Sequence, residues 1–242
     1  MTWKIYMAEV LRVRVDVLNK NGSVESLLEN PDQIILLDTN FLISPDRSNL
    51  GARVIPFKHY CQIWLDPLFE MFPNLAVHES VYDELIDAAT KGYVDRKINN
   101  IPPLLKVFSD SLLSEVECAL MQTYINKLSP YSKYIPERDN TSDRGEVKSL
   151  SYMAVKKLLY FAAHDSLPLN LIGKAAELGT GLEGISSLQM YEVIYFLYKS
   201  KNFDSQGLRS LYKYQYRLTK KETTQNPEWG EFIKRMVQLY GE

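Results

Sequence analysis

Cysteine is scarce in this chain. Cys61 and Cys118 are the two cysteines among 242 residues, and they form no CxxC pair. That spacing argues against a disulfide framework and a cysteine-bound zinc, and it fits a reducing cytosol. Both read as small buried hydrophobes. Long apolar runs are also missing. No stretch approaches the about 18 residues that a membrane helix needs. Residues 1–16 mix charges into their apolar positions and offer no signal-peptide core. The expectation is a cytoplasmic protein with no membrane partner. An excess of one charge is lacking too: the net charge is -2 and the pI about 6.0. Global charge therefore does not announce a nucleic-acid binder. There is no internal repeat and no low-complexity tract.

What is present suits a globular domain. Hydrophobic residues make up 45% and charged residues 24%, ordinary values for such a protein. A chain of this length buries a substantial core without metals or disulfides to hold it.

Residues 10–17 are rich in Val with partial period-two alternation, which predicts a strand; a helix over 7–18 is the rival. Asn21-Gly22 predicts a turn, and residues 23–30 a short helix stopped by Pro31. Residues 1–32 are read as an N-terminal extension. Residues 34–37 are continuously aliphatic, as expected of a parallel strand covered on both faces. Helical spacing predicts a helix over 57–72, ending before Pro73. A second short strand is expected at 75–77, then a helix at 81–89 with Gly92 as its stop. After Pro102-Pro103, residues 104–128 read as one or two helices, and residues 130–142 as a loop. A helix over 142–158 follows. Residues 159–165 repeat the opening pattern, an apolar run ending on a carboxylate. A helix over 170–179, a short strand or turn at 184–187 and a helix over 188–199 complete the series.

This order points to an α/β fold with a central parallel sheet. The expected organisation is a domain at 33–199 with a helical insertion at about 90–140, then a basic α-helical tail at 200–242. In that tail Tyr212, Tyr214 and Tyr216 interleave with Lys and Arg. Such a mixture can stack bases and neutralise phosphates. An amphipathic helix packed on the domain is the simpler reading.

Four positions bring acids toward one end of the sheet. Asp38 ends the first strand, Glu84 follows the second, Glu146 opens a later helix and Asp165 ends the strand after it. In open α/β sheets, ligands bind outside the carboxyl ends of the strands. A strand-end Asp also serves as a helix cap, and acids in a first turn suit the helix dipole, so each residue has a structural explanation as well. Asp143 and Glu146 share a helix face. Clustered carboxylates repel and raise each other's pKa unless a hard cation sits among them. Oxygen-only ligation suits Mg²⁺ or Mn²⁺ and not Zn²⁺. Ions held this way activate water and stabilise the departing oxygen of a phosphodiester.

Leu36-Leu37-Asp38-Thr39-Asn40-Phe41-Leu42-Ile43 resembles the opening of the PIN-domain nuclease family. Ala76-Val77-His78-Glu79-Ser80-Val81-Tyr82-Asp83-Glu84-Leu85 is similar to its second signature. Asp143-Arg144-Gly145-Glu146 resembles its third acidic element, and Phe161-Ala162-Ala163-His164-Asp165 the strand ending in its fourth. The resemblance extends over 34–198. It implies a PIN-like three-layer α/β/α fold and divalent-metal-dependent cleavage of RNA, as in a toxin restrained by an inhibitory protein partner, in RNA processing or in defence. It implies Asp38, Glu84, Glu146 and Asp165 as metal-binding catalytic acids, Asn40 as the residue orienting the first, and Asp143 as support. It is also compatible with a homodimer. Arg47, Arg53 and Lys58 follow the first acid, where they can meet an RNA backbone. The segment between Leu85 and Asp143 is longer than in compact members, and His164 stands where many members carry a small or acidic residue. The alternative is a PIN-like domain that has lost catalysis and binds RNA or protein; a hydrolase of small phosphoesters is a third reading.

Overall fold

The computed structural model describes residues 14–241. Helix α1 spans Gly22–Glu29 and strand β1 Ile35–Leu37. One turn, α2, spans Thr39–Leu42. Phe57–Tyr60, the π-helical Cys61–Leu65 and Asp66–Met71 run on as one helix, α3. Pro67 lies just beyond the π-helical part; it has no N–H to give the preceding turn, which loosens the ladder there. Strand β2, Leu75–His78, leads directly into α4, Glu79–Asp83, and then α5, Ala88–Ile98. Strand β3 is Leu105–Phe108, α6 Glu115–Leu128 and α7 Arg144–Lys156. Strand β4, Tyr160–Ala163, is followed by α8, Ser166–Gly173, and α9, Ala175–Leu178. Strand β5, Ser186–Gln189, runs into α10, Met190–Lys199. Three helices close the chain: α11 Ser205–Tyr216, α12 Lys220–Gln225 and α13 Trp229–Tyr240.

All five strands are parallel, in the order β3-β2-β1-β4-β5. Side chains alternate across the sheet. Ile35, Leu37, Leu75, Val77, Ala162 and Leu188 face one core, with helices α1, α3, α10, α11 and α13 over it. Leu36, Ala76, Phe161 and Ala163 face the other, with α6, α7 and α8. The result is the expected three-layer α/β/α arrangement. From β1 the chain builds outward on one side to β3, then crosses to β4 on the other. The β1/β4 boundary is thus the point where strand order reverses, and such points are where open α/β sheets place ligands.

Several expectations change. Of the strand predicted at 10–17, residues 10–13 lie outside the described residues, and residues 14–17 are neither strand nor helix. Val15 and Val17 are nonetheless buried, so this stretch is packed into the domain. Asn21 makes no hairpin turn; it caps α1 by accepting the Ser23 N–H at 3.0 Å. The helix expected at 81–89 breaks at 84–87, and Gly92 lies inside α5. The segment at 90–140 is not wholly helical, because β3 joins the sheet as an edge strand. Lys106 is exposed on that edge, where a charge discourages further pairing. The described part of the expected tail, residues 200–241, packs onto the domain. Leu208, Leu211, Tyr212 and Tyr216 of α11 and Phe232 and Met236 of α13 are buried in the first core. Tyr212 stacks on Phe232 with ring centroids 4.5 Å apart. Burying a residue such as Phe232 contributes about 1.5–3 kcal/mol. Cys61 is half-buried, and Cys118 is exposed on the outer side of α6, unlike the buried hydrophobe expected.

Candidate metal centre

Asp38 and Asp165 follow β1 and β4, the two strands that flank the reversal point. Both occupy helix N-cap positions, of α2 and α8, yet neither side chain accepts a capping hydrogen bond. The capping explanation for these acids therefore fails, and their carboxylates are turned to other partners. Glu146 comes from the first turn of α7. Oxygens of Asp38, Glu146 and Asp165 lie within 4.8 Å of one another.

Asn40 holds two of them together. Its side-chain amide donates to Asp38 Oδ2 at 2.6 Å and to Asp165 Oδ2 at 2.8 Å. Asp38 is 1% exposed. Its pKa is held well above the usual carboxylate range, first by burial and then by the negative charges of Glu146 and Asp165. Glu146 is pushed up to about 7, again mainly by burial, with like charge from Glu84, Asp143 and Asp165 adding to it. Such a group resists ionising as it stands, and a bound cation would reverse that.

Glu84 lies beside this trio and not within it. It is the C-cap residue of α4, and the chain leaves the helix expected from the sequence just after it. Its Oε2 accepts from Thr39 Oγ1 at 2.6 Å and its Oε1 from the Gly145 N–H at 3.0 Å. Burial raises its pKa, against the lowering effect of those two bonds and of Arg144.

The remaining predicted residues separate. Asp143 occupies the N-cap position of α7 in the left-handed region, φ 56°, and its side chain instead accepts the Lys133 N–H at 2.7 Å. It ties down the 130–142 loop and adds charge to the centre without joining it. Arg47 is not available to RNA. It is 1% exposed and donates to the Tyr214 and Gln215 carbonyls and to Glu222 Oε1. Arg53 and Lys58 are exposed. His164 turns toward α11, with its Nδ1 3.3 Å from Tyr216 Oη.

Thr39 and Gly145 stand inside the motifs quoted above, and both donate to Glu84. A second group, His78, Glu79 and Asp110, lies at the end of β2. His78 meets Ser80 Oγ at 2.7 Å and Asp110 Oδ1 at 3.0 Å, and the Asp110 N–H donates to Glu79 at 2.9 Å. These bonds close the start of α4 and satisfy the group internally.

The donor set of the first group fits a hard divalent cation: three carboxylates, all oxygen, at a strand-order reversal. Among the described residues, no helix is long and apolar enough to cross a membrane. No protein-family model, curated protein or solved structure matches this chain in comparison.

Proposed function

We propose that this protein is a Mg²⁺- or Mn²⁺-dependent endoribonuclease, with Asp38, Glu146 and Asp165 as the residues that hold the cation. The observation that carries the reading is the convergence of these three carboxylates, two of them at helix starts that they leave uncapped. The choice of RNA as substrate rests on the four motifs that resemble the PIN-domain nucleases, in their order along the chain. When bound, the cation supplies water activation and offsets charge on the departing oxygen of a phosphodiester.

The chain's own residues prepare the site. Asp38 and Glu146 must lose their protons to take a cation, so loading releases protons and strengthens as pH rises. Asn40 fixes Asp38 against Asp165 and donates only, which favours the charged forms. Burial of Asp38 keeps water from competing for its oxygens. Arg53 and Lys58 are offered as contacts to the substrate backbone, where they would add salt-dependent affinity without sequence preference.

The test is cleavage of a labelled single-stranded RNA by wild type and Asp38→Asn, each with Mg²⁺, Mn²⁺ or EDTA. Metal-dependent cleavage lost in Asp38→Asn supports the reading. Cleavage that survives the substitution, or that EDTA leaves unchanged, contradicts it.

A further inference from the structure

We infer that Glu84 is a positioning residue and not a ligand: its carboxylate ties the first turn of α2 to the first turn of α7 and so sets Asp38 against Glu146. The inference rests on the metal reading above and departs from the expectation that all four acids bind the ion.

Both Glu84 oxygens are engaged, each by a different element. Thr39 Oγ1 donates to one at 2.6 Å and the Gly145 N–H to the other at 3.0 Å. Thr39 is the chain neighbour of Asp38, and Gly145 is the chain neighbour of Glu146. Each bond therefore ends one residue from a member of the trio. The oxygens that approach one another within 4.8 Å are those of Asp38, Glu146 and Asp165, and Glu84 is outside that group.

Local structure explains why the bond to α7 forms. The first N–H groups of a helix have no partner within it. Asp143, the N-cap residue of α7, makes no side-chain capping bond. Glu84 supplies the missing acceptor from another element. The approach is close: a Cβ at position 145 would lie 2.7 Å from Glu84 Oε1 and 3.0 Å from Oε2, so it would displace the carboxylate from this bond. Glu84 is the C-cap residue of α4 and keeps helical backbone, φ -73° and ψ -13°, so its side chain projects from the end of that helix.

A ligand and a positioning residue differ in what they need. A ligand acid needs its charge. A positioning acid needs two hydrogen-bond partners, and glutamine can keep both: its carbonyl accepts from Gly145, and its amide donates to Thr39 Oγ1, whose hydroxyl can rotate to accept. Thr39→Val makes the opposite change, breaking one bond while leaving all four carboxylates in place.

The experiment is Mn²⁺ titration, with free Mn²⁺ followed by electron paramagnetic resonance. It compares wild type, Glu84→Gln, Glu84→Ala, Thr39→Val and Asp38→Asn, each first shown to be folded by its thermal melt. Glu84→Gln is expected within about threefold of wild type, Thr39→Val and Glu84→Ala weaker by about 10–100-fold, and Asp38→Asn weaker still. Glu84→Gln as weak as Asp38→Asn makes Glu84 a ligand and overturns the inference. Thr39→Val equal to wild type also overturns it. Wild type that binds no Mn²⁺ overturns the metal centre and this role with it, a result recognisable because every variant then behaves alike.

Discussion

Glu84 and Gly145 occupy one another's space: the carboxylate sits where a side chain at position 145 would begin, 2.7 Å from the Cβ that glycine lacks. A side chain at position 145 would push the Glu84 carboxylate off its bond to the Gly145 N–H. Alanine for glycine within a helix ordinarily gains up to about 1 kcal/mol. Here we predict the reverse for Gly145→Ala, a loss of about 1–3 kcal/mol from overpacking. Urea denaturation midpoints check the sign.

Asn40 bridges the two strand-end acids, and its loss should be felt most when no cation is present. Asn40→Ala removes the donor shared by Asp38 and Asp165. We expect a loss of about 1–3 kcal/mol in EDTA, partly recovered in Mn²⁺. Paired thermal melts with and without the ion measure both.

The pH dependence has a definite sign. Glu146 titrates near 7 in the folded protein against a usual 4.5, so the folded state binds this proton more tightly. Its contribution to stability is complete below about 4.5 and is lost as pH rises through 7, an effect on the order of 3 kcal/mol. Asp38 is shifted in the same direction. Glu192, buried and also raised to about 7, adds to the slope from outside the site. In EDTA, wild type should therefore lose stability from pH 5 to 8. Asp38→Asn should lose less and be the more stable protein at pH 8. Saturating Mn²⁺ should flatten or invert the wild-type slope. Denaturation series at each pH decide it.

Arg47 is structural. It links the 43–56 segment to α11 and α12 through the Tyr214 and Gln215 carbonyls and Glu222. Arg47→Met removes the donor to both carbonyls and to one Glu222 oxygen, so it should cost about 1–3 kcal/mol. The loss should appear in thermal unfolding, with no specific change in salt-dependent RNA affinity beyond that of the folded fraction.

Much of this architecture can be read from the chain, and the exceptions have physical causes. The runs ending at Asp38 and Asp165 announce themselves because strands covered on both faces are continuously apolar. β3 hides because an edge strand needs little burial: Leu105 is buried and Lys106 exposed, between two prolines and a helical pattern. Tyr212 and Tyr216 sit four apart on α11 and bury together, but the lysines and arginines around them read as a basic tail. Arg47 looks like a surface base until Glu222, 175 residues later, is brought beside it. The acids of the centre were legible as types and as strand-end positions. Their division into a trio and a separate Glu84 was not, because it depends on the bond from Thr39 and on a backbone N–H that no side-chain pattern records.

The most direct test of the metal centre is a crystal grown with Mn²⁺, with anomalous scattering collected above the manganese edge. The expected result is a peak bounded by Asp38, Glu146 and Asp165. A peak at His78, Glu79 and Asp110 alone, or none at either place in a crystal saturated with the ion, would contradict it.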